Sequence, residues 1–298
     1  MEFHLIDLPL PQIGFRRFIS SWLLRDTARD KTYIVDPGPP STWPVLREAV
    51  VGRGNDRVDA VLLTHVHLDH AGASGYVVRE FGAPVTAPEK GIPHLLDPSA
   101  LWEGSKKTLG ETALLYGEPL PVPPEMIFRE DALPKKFSAV DTPGHAAHHQ
   151  CFLYDGDGAL TLFAGEAAGV YLEGEAPFPY LRPATPPRFF PDVTLASLDR
   201  LLSLGCSRIC YGHFGAAEGA REMLSYAKEQ LLFWKDIVLG LLRRGTAPEN
   251  EERCFQELLD RDPFLAAWPR MDADIQERER MFLGNSIRGF LGAFAGGQ

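Results

Sequence analysis

A chain of 298 residues with 45% hydrophobic content is long enough for one large domain plus an appendage, and too apolar for wholesale disorder. A formal net charge of −10 repels phosphate backbones, and no run of Lys and Arg offers a basic groove, so nucleic acid is not an expected partner. No apolar stretch reaches membrane-spanning length, so a membrane is not an expected partner either.

The first residues, "MEFHLIDLPLPQIGF", lack a basic n-region, and acidic residues and prolines break their apolar stretch. They do not read as a signal peptide, and the expected location is the cytoplasm. Cys151, Cys206, Cys210 and Cys254 fit neither a zinc ribbon nor a CxxC redox pair. They are expected as buried thiols in a reducing compartment.

In chain order, residues 2–8 alternate weakly, and "TYIVDPG" (32–38) is a β-run halted by a Pro-Gly turn signal. Residues 41–52 predict a short helix, 58–65 a buried strand, and 71–82 a helix ended by Gly82. "APVTAP" suits the next strand, and 98–124 is helical in part before it turns proline-rich. Strands are expected at 137–144, 149–155 and 159–165. Residues 166–192 are dense in Pro, Phe and Tyr and read as a rigid surface loop. An amphipathic helix over 193–205 leads to a strand at 208–212. After His213 the character changes: residues 216–295 offer three helical stretches and no convincing strand. The expected organisation is an α/β domain over 1–215 with a helical extension over 216–298.

Chemistry concentrates in "THVHLDH" (64–70), which spends three of the nine histidines and an aspartate within six positions. At the end of a strand, His65 and His67 point to the same side by the period-two rule, and Asp69 and His70 follow where the next helix starts. Neutral imidazole and carboxylate bind Zn²⁺ well, at about 2.0–2.2 Å. His145 follows a strand in "DTPGH", Glu166 in "FAGE" and His213 in "YGHFG", each beside a glycine that permits close approach of backbone to a ligand. Four strand ends therefore carry metal-binding side chains to what can be one edge. His4 and His94 are isolated and read as hydrogen-bonded surface residues.

The order THVHLDH, TPGH, FAGE, GHFG resembles the metallo-β-lactamase-fold hydrolases, and "YIVDPG" resembles that family's first motif. The resemblance covers roughly residues 1–215. Within the family it is most similar to the glyoxalase II-like and lactonase-like branch, some members of which carry added C-terminal helices. It implies an α/β fold, an αββα sandwich with metals at one edge of the two sheets.

The resemblance further implies that His65, His67 and His145 hold one metal and that Asp69, His70 and His213 hold a second. Glu166 stands where the family usually has a bridging aspartate, and Asp36 would orient a ligand by hydrogen bonding. His148 and His149 lie just after TPGH and belong to no usual ligand set. The implied cofactors are two divalent ions, zinc foremost, with iron or manganese as alternatives. Two ions sharing a water would lower its pKa toward about 7, so that hydroxide attacks the carbonyl of a small thioester, lactone or related ester. Asp69 would relay a proton to the leaving group.

The rival reading is a mononuclear iron-dependent, persulfide-type dioxygenase on the same fold; the complete second ligand set argues for hydrolysis. Phe178, Tyr180, Phe189 and Phe190, with Arg182 and Arg188, are expected to form an apolar lid with an arginine for an anionic substrate tail. The competing expectation is that these aromatics pack against the appended helices. A small-molecule substrate is the expected partner. The helical extension is expected to cap the active-site edge or make a homodimer contact.

Overall fold

Apolar residues follow one another without alternation in the central strands, which is the pattern of sheets covered on both faces. The computed structural model, which describes all residues except 55, 129–132, 157, 174–179, 187–188, 246–250 and 296–298, shows that covering. The first sheet runs in the order β1 (Glu2–Asp7), β2 (Ser20–Asp26), β3 (Lys31–Val35), β4 (Ala60–Leu62), β5 (Val85–Thr86) and β6 (Ile127–Phe128). β1 to β3 pair antiparallel and β3 to β6 parallel. The second sheet starts with β7 (Phe137–Asp141), β8 (Gln150–Gly156) and β9 (Ala159–Gly165). A two-stranded ribbon of β10 (Val170–Leu172) and β11 (Tyr180–Arg182) stands apart. β12 (Arg208–Tyr211) then joins β9 in parallel, and β13 (Ala216–Glu218) closes that edge.

The helices are α1 (Trp43–Val51), α2 (Leu68–Ala71), α3 (Ser74–Phe81), α4 (Ile92–Leu96), α5 (Ser99–Leu109), α6 (Glu111–Tyr116), α7 (Pro191–Leu202), α8 (Ala220–Arg243), α9 (Glu251–Arg261) and α10 (Ala273–Ala295). Trp22, Leu24, Tyr33 and Val35 of the first sheet meet Phe152, Tyr154, Phe163 and Cys210 of the second in one core. The intervening Leu23, Ile34, Leu153, Leu162 and Ile209 face the other way and pack under helices such as α1, α3, α7 and α8. Period-two geometry thus splits each apolar strand between an inter-sheet core and a helix-covered face, which is the expected αββα sandwich.

The outer core continues without a break into the C-terminal helices, where Trp234, Leu241, Ile287 and Phe290 are fully or almost fully buried. Two findings differ from the sequence reading. Residues 216–218 form β13, paired with β12, so the second sheet extends past the expected boundary at 216. β2, interior to the first sheet, drew no expectation: its polar ends, Ser20-Ser21 and Arg25-Asp26, mask it. Ser20 and Ser21 tolerate burial because their hydroxyls donate to backbone carbonyls, Ser20 to His213 at 2.9 Å and Ser21 to Val35 at 3.3 Å. All four cysteines are buried and free. Among the described residues no helix is long and apolar enough to cross a membrane.

Candidate metal centre

β4 stops at Leu62, so His65 and His67 sit in the connection to α2 rather than on a strand. The strand-pleat argument for their convergence therefore does not hold. The loop itself brings the two rings together, with centroids 4.6 Å apart. Asp69 and His70 lie in α2, His145 in the loop after β7, Glu166 directly after β9, and His213 after β12. All seven converge. His65, His67, His145 and Glu166 present ligand atoms within 4.8 Å of one another, and so do Asp69, His70 and His213.

Hydrogen bonds determine which nitrogen each ring offers. Nδ1 of His145 donates to the Ala184 carbonyl at 3.0 Å, and Nδ1 of His213 to the Phe18 carbonyl at 3.2 Å. Nδ1 of His70 meets Asp36 Oδ2 at 3.1 Å. The Thr64 hydroxyl donates to Asp36 Oδ2 at 2.6 Å, so it accepts from Nδ1 of His65 at 3.0 Å. In these four rings the Nδ1 proton is committed outward and Nε2 faces the centre. His67 is turned the other way, with Nδ1 facing His145 Nε2 at 3.0 Å.

The Glu166 carboxylate occupies the middle. Its Oε2 lies 2.9 Å from His145 Nε2 and 3.5 Å from Nε2 of both His65 and His70, and its Oε1 lies 3.2 Å from His213 Nε2. One carboxylate thus reaches both histidine sets. Nε2 of His65 and Nε2 of His70 are buried and have no hydrogen-bond partner. An orphaned buried polar atom costs about 1–3 kcal/mol. Two of them aimed at one carboxylate, beside three further imidazoles, fit a cation.

The electrostatics divide the rings: burial keeps two of them neutral, while in His145, as in His70, nearby carboxylate charge outweighs burial. Burial, reinforced by neighbouring imidazoles, holds His65 and His67 well below the ordinary histidine range. Burial opposes charge on His70 too, but Asp69, Asp36 and Glu166 outweigh it and raise its pKa. Glu166 is buried, yet His145 and His213 hold its carboxyl well below the usual range. Asp36 accepts from the Thr64 N–H at 2.8 Å as well as from the Thr64 hydroxyl and His70. Its oxygens are therefore engaged in orienting Thr64 and His70.

Residues outside the expected ligand set also take part. His149 accepts the Glu166 backbone N–H at 3.1 Å and so braces Glu166 from outside the cluster. His148 is partly buried, and that burial lowers its pKa to about 4. His94, expected as a plain surface residue, lines a cavity of ≈ 530 Å³ above the centre. Phe18 stacks on His213 with ring centroids 4.3 Å apart. Neither Phe18 nor His94 sits in a motif, so no local signal marks them.

The expected substrate lid needs correction. Tyr180 is buried and donates its hydroxyl to Glu279 at 3.0 Å, and Phe189 is buried against Phe290 with centroids 4.9 Å apart. Both are turned into the core under α10, because an aromatic ring gains more there than over a polar centre. Phe190 is 63% exposed and lies outside the cavity wall. Arg182 does line the cavity, but its Nε is ion-paired with Glu279 at 2.6 Å. Phe178 and Arg188 lie outside the described residues. α10 supplies Phe282, Asn285, Ser286 and Arg288 to the cavity wall, so the helical extension caps this edge.

The sequence profile described as the metallo-beta-lactamase superfamily matches residues 14–213. The chain is 28% identical over 198 residues to the metallo-beta-lactamase fold-containing protein ST1585 of Sulfurisphaera tokodaii, covering 61% of this chain and 72% of that one. It is 26% identical over 153 residues to the probable metallo-hydrolase MJ0888 of Methanocaldococcus jannaschii, covering 50% of this chain and 68% of the relative. The solved structure of ST1585 aligns with a TM-score of 0.68 at 20% identity, over 97% of each chain. That of TTHA1429 from Thermus thermophilus aligns with a TM-score of 0.65 at 24% identity, over 99% of this chain and 93% of that one. These likenesses run through α8 to α10, so the extension is part of the shared fold. With the profile spanning well over half its length and the ligand-bearing loops gathered at one edge of the sandwich, the chain belongs to the metallo-beta-lactamase superfamily.

Proposed function

We propose that this protein is a dinuclear metal-dependent hydrolase of a small thioester, lactone or related ester, in the glyoxalase II-like or lactonase-like branch. The observation that carries the reading is the pair of buried, unpartnered Nε2 atoms of His65 and His70, each 3.5 Å from Glu166 Oε2. His65, His67 and His145 would hold one ion and Asp69, His70 and His213 the other, with Glu166 between them. When bound, the two divalent ions, zinc foremost, would activate a water at neutral pH and polarise the scissile carbonyl.

The chain's own residues do the rest. The Nδ1 contacts of His65, His70, His145 and His213 fix the rings so that their Nε2 atoms face inward. Asp69 lines the cavity floor with its Oδ2 3.8 Å from His70 Nε2, a position from which it can pass a proton to the leaving group. The mostly apolar cavity wall excludes water from the reacting carbonyl. We place the protein in the cytoplasm, acting on a small molecule, with a homodimer as a further proposal. The description of MJ0888 as a probable metallo-hydrolase supports the reaction type.

The test is elemental analysis of protein purified without added metal and then saturated with zinc or iron, paired with a thioester and lactone panel. Two ions per chain and turnover of one class are expected. A stoichiometry fixed at one would sink the dinuclear mechanism and favour the iron-dependent dioxygenase.

A further inference from the structure

The cavity of ≈ 530 Å³ has His67, Asp69, His145, Glu166 and His213 in its floor. Its walls are largely apolar, with Phe18, Leu101, Leu109, Tyr116 and Phe282 among them. Among the described residues two arginines reach it, Arg182 and Arg288. Arg288 is already committed, since it donates to Glu251 at 2.6 Å and also to Asn285.

Arg182 is different. It is 3% exposed, its Nε donates to Glu279 Oε2 at 2.6 Å, and its guanidinium carbon lies 5.2 Å from the centre of the Phe282 ring. That hydrogen bond uses one of the five N–H groups of a guanidinium. The two terminal nitrogens have no hydrogen-bond partner among the described residues. Glu279 has little left to offer them: its Oε2 also accepts from Tyr180 at 3.0 Å, and its Oε1 accepts from Arg278 at 3.0 Å. Arg278 is served elsewhere too, donating to the carbonyls of Gly14 at 2.7 Å and Arg16 at 3.0 Å. Of the two carboxylates in the cavity floor, Glu166 is taken up by the histidines and Asp69 faces His70.

Arg182 is therefore a buried guanidinium held at its Nε, in a residue that lines the cavity, with terminal nitrogens left for a ligand. A planar edge with two parallel N–H groups matches the two oxygens of a carboxylate. Glu279 is shared between Arg182 and Arg278, so two buried guanidinium charges face one carboxylate, and an anionic ligand would offset the excess.

We propose that the substrate carries a carboxylate, held by the terminal nitrogens of Arg182 while its scissile carbonyl sits at the metal-binding residues. The intervening chain of the substrate lies along Phe18 and Phe282. The substrate class rests on the hydrolase reading; the anion subsite does not.

The experiment is titration calorimetry on the full-length, metal-loaded protein with 1-hexanesulfonate, an anion that ligates metals poorly, against neutral 1-hexanol. The expected result is a preference for the anion of about tenfold or more, the size of a charge-assisted hydrogen-bonded pair. Arg182→Gln should abolish that preference with metal content unchanged. Equal affinity of the wild type for the two probes overturns the proposal, and so does a preference that survives Arg182→Gln. Because this change strips Glu279 of a partner, Arg182→Gln/Glu279→Gln is measured beside it; if neither variant folds, the wild-type comparison decides.

A second arm compares a glutaryl monothioester with its methyl ester. Arg182→Gln should raise KM for the acid by about tenfold and leave the ester within about twofold. Anion preference in the calorimeter without turnover of either thioester would sink the hydrolase reading and leave the subsite standing.

Discussion

The backbone N–H of Glu166 donates to Nε2 of His149 at 3.1 Å, which ties the central carboxylate to a ring outside the ligand set. Since Nε2 accepts, Nδ1 carries the proton and donates to the Thr142 hydroxyl at 2.9 Å, which in turn lies 3.2 Å from Cys151 Sγ. Burial keeps the ring neutral by lowering its pKa well below the usual value. The preceding Gly165 adopts φ 51°, and a Cβ there would stand 2.6 Å from His149 Nε2. Ring and glycine together fix where the longer glutamate side chain begins. His149→Ala should therefore weaken metal affinity by about 10–100-fold with the fold retained. Competition with a chromophoric chelator measures this, and an unchanged affinity would show that Glu166 needs no such support.

Glu166→Gln keeps the size of the side chain and removes its charge. The carboxylate now lies within 3.5 Å of ring nitrogens from both histidine sets. Loss of that anion should lower metal content and cut turnover by roughly 10²-fold or more. Full metal content with near-normal turnover would mean that Glu166 is no ligand.

His213→Ala removes a ring whose Nε2 lies 3.2 Å from Glu166 Oε1 and which clusters with Asp69 and His70. Occupancy of the second ion should fall more than that of the first. Graded zinc titration with elemental readout distinguishes the two, and equal loss of both ions would contradict the assignment of separate sets.

Asp36→Ala should cost stability as well as metal. The carboxylate accepts from the Thr64 N–H, the Thr64 hydroxyl and His70, all of them buried. Removing it leaves buried donors unpaired, with a loss of about 2–3 kcal/mol. Urea denaturation of metal-free wild type and variant is the measurement, and a change under about 0.5 kcal/mol would refute the role.

The C-terminal helices should prove inseparable from the sandwich. Trp234 is fully buried in the same core as β9 and α7, and its Nε1 donates to Asp262 at 2.6 Å. Trp234→Ala should cost about 3–5 kcal/mol. A chain ended after residue 219 is expected to be insoluble or molten, judged by loss of near-ultraviolet circular dichroism. A cooperative unfolding transition in that truncated chain would show an independent catalytic domain.

That metal-binding residue types gather at one place was readable from the sequence, while the division into ligand sets came from the family resemblance. Histidine and carboxylate bind metals wherever they stand, and "THVHLDH", "TPGH", "FAGE" and "GHFG" each lie just past an apolar run bounded by glycine or proline. Strands β7, β8, β9 and β12 were readable for the same local reason. Burial on both faces makes β8, β9 and β12 short, largely apolar segments, whereas β7 is an edge strand with Ser138 and Asp141 exposed. β13, with only Ala-Ala-Glu, has no such pattern and exists because β12 offers it an edge.

What the tertiary structure alone decided is direction. His65 and His67 meet through the path of a loop and not through a strand pleat. Tyr180 and Phe189 turn inward because α10, about a hundred residues later in the chain, offers them Glu279 and Phe290. Arg182 becomes a clamped guanidinium because Glu279 lies 97 positions away in sequence and 2.6 Å away in space. Ligand identity is a property of single side chains. Which way a side chain points, and what remains unpaired when it does, depends on partners that no local pattern specifies.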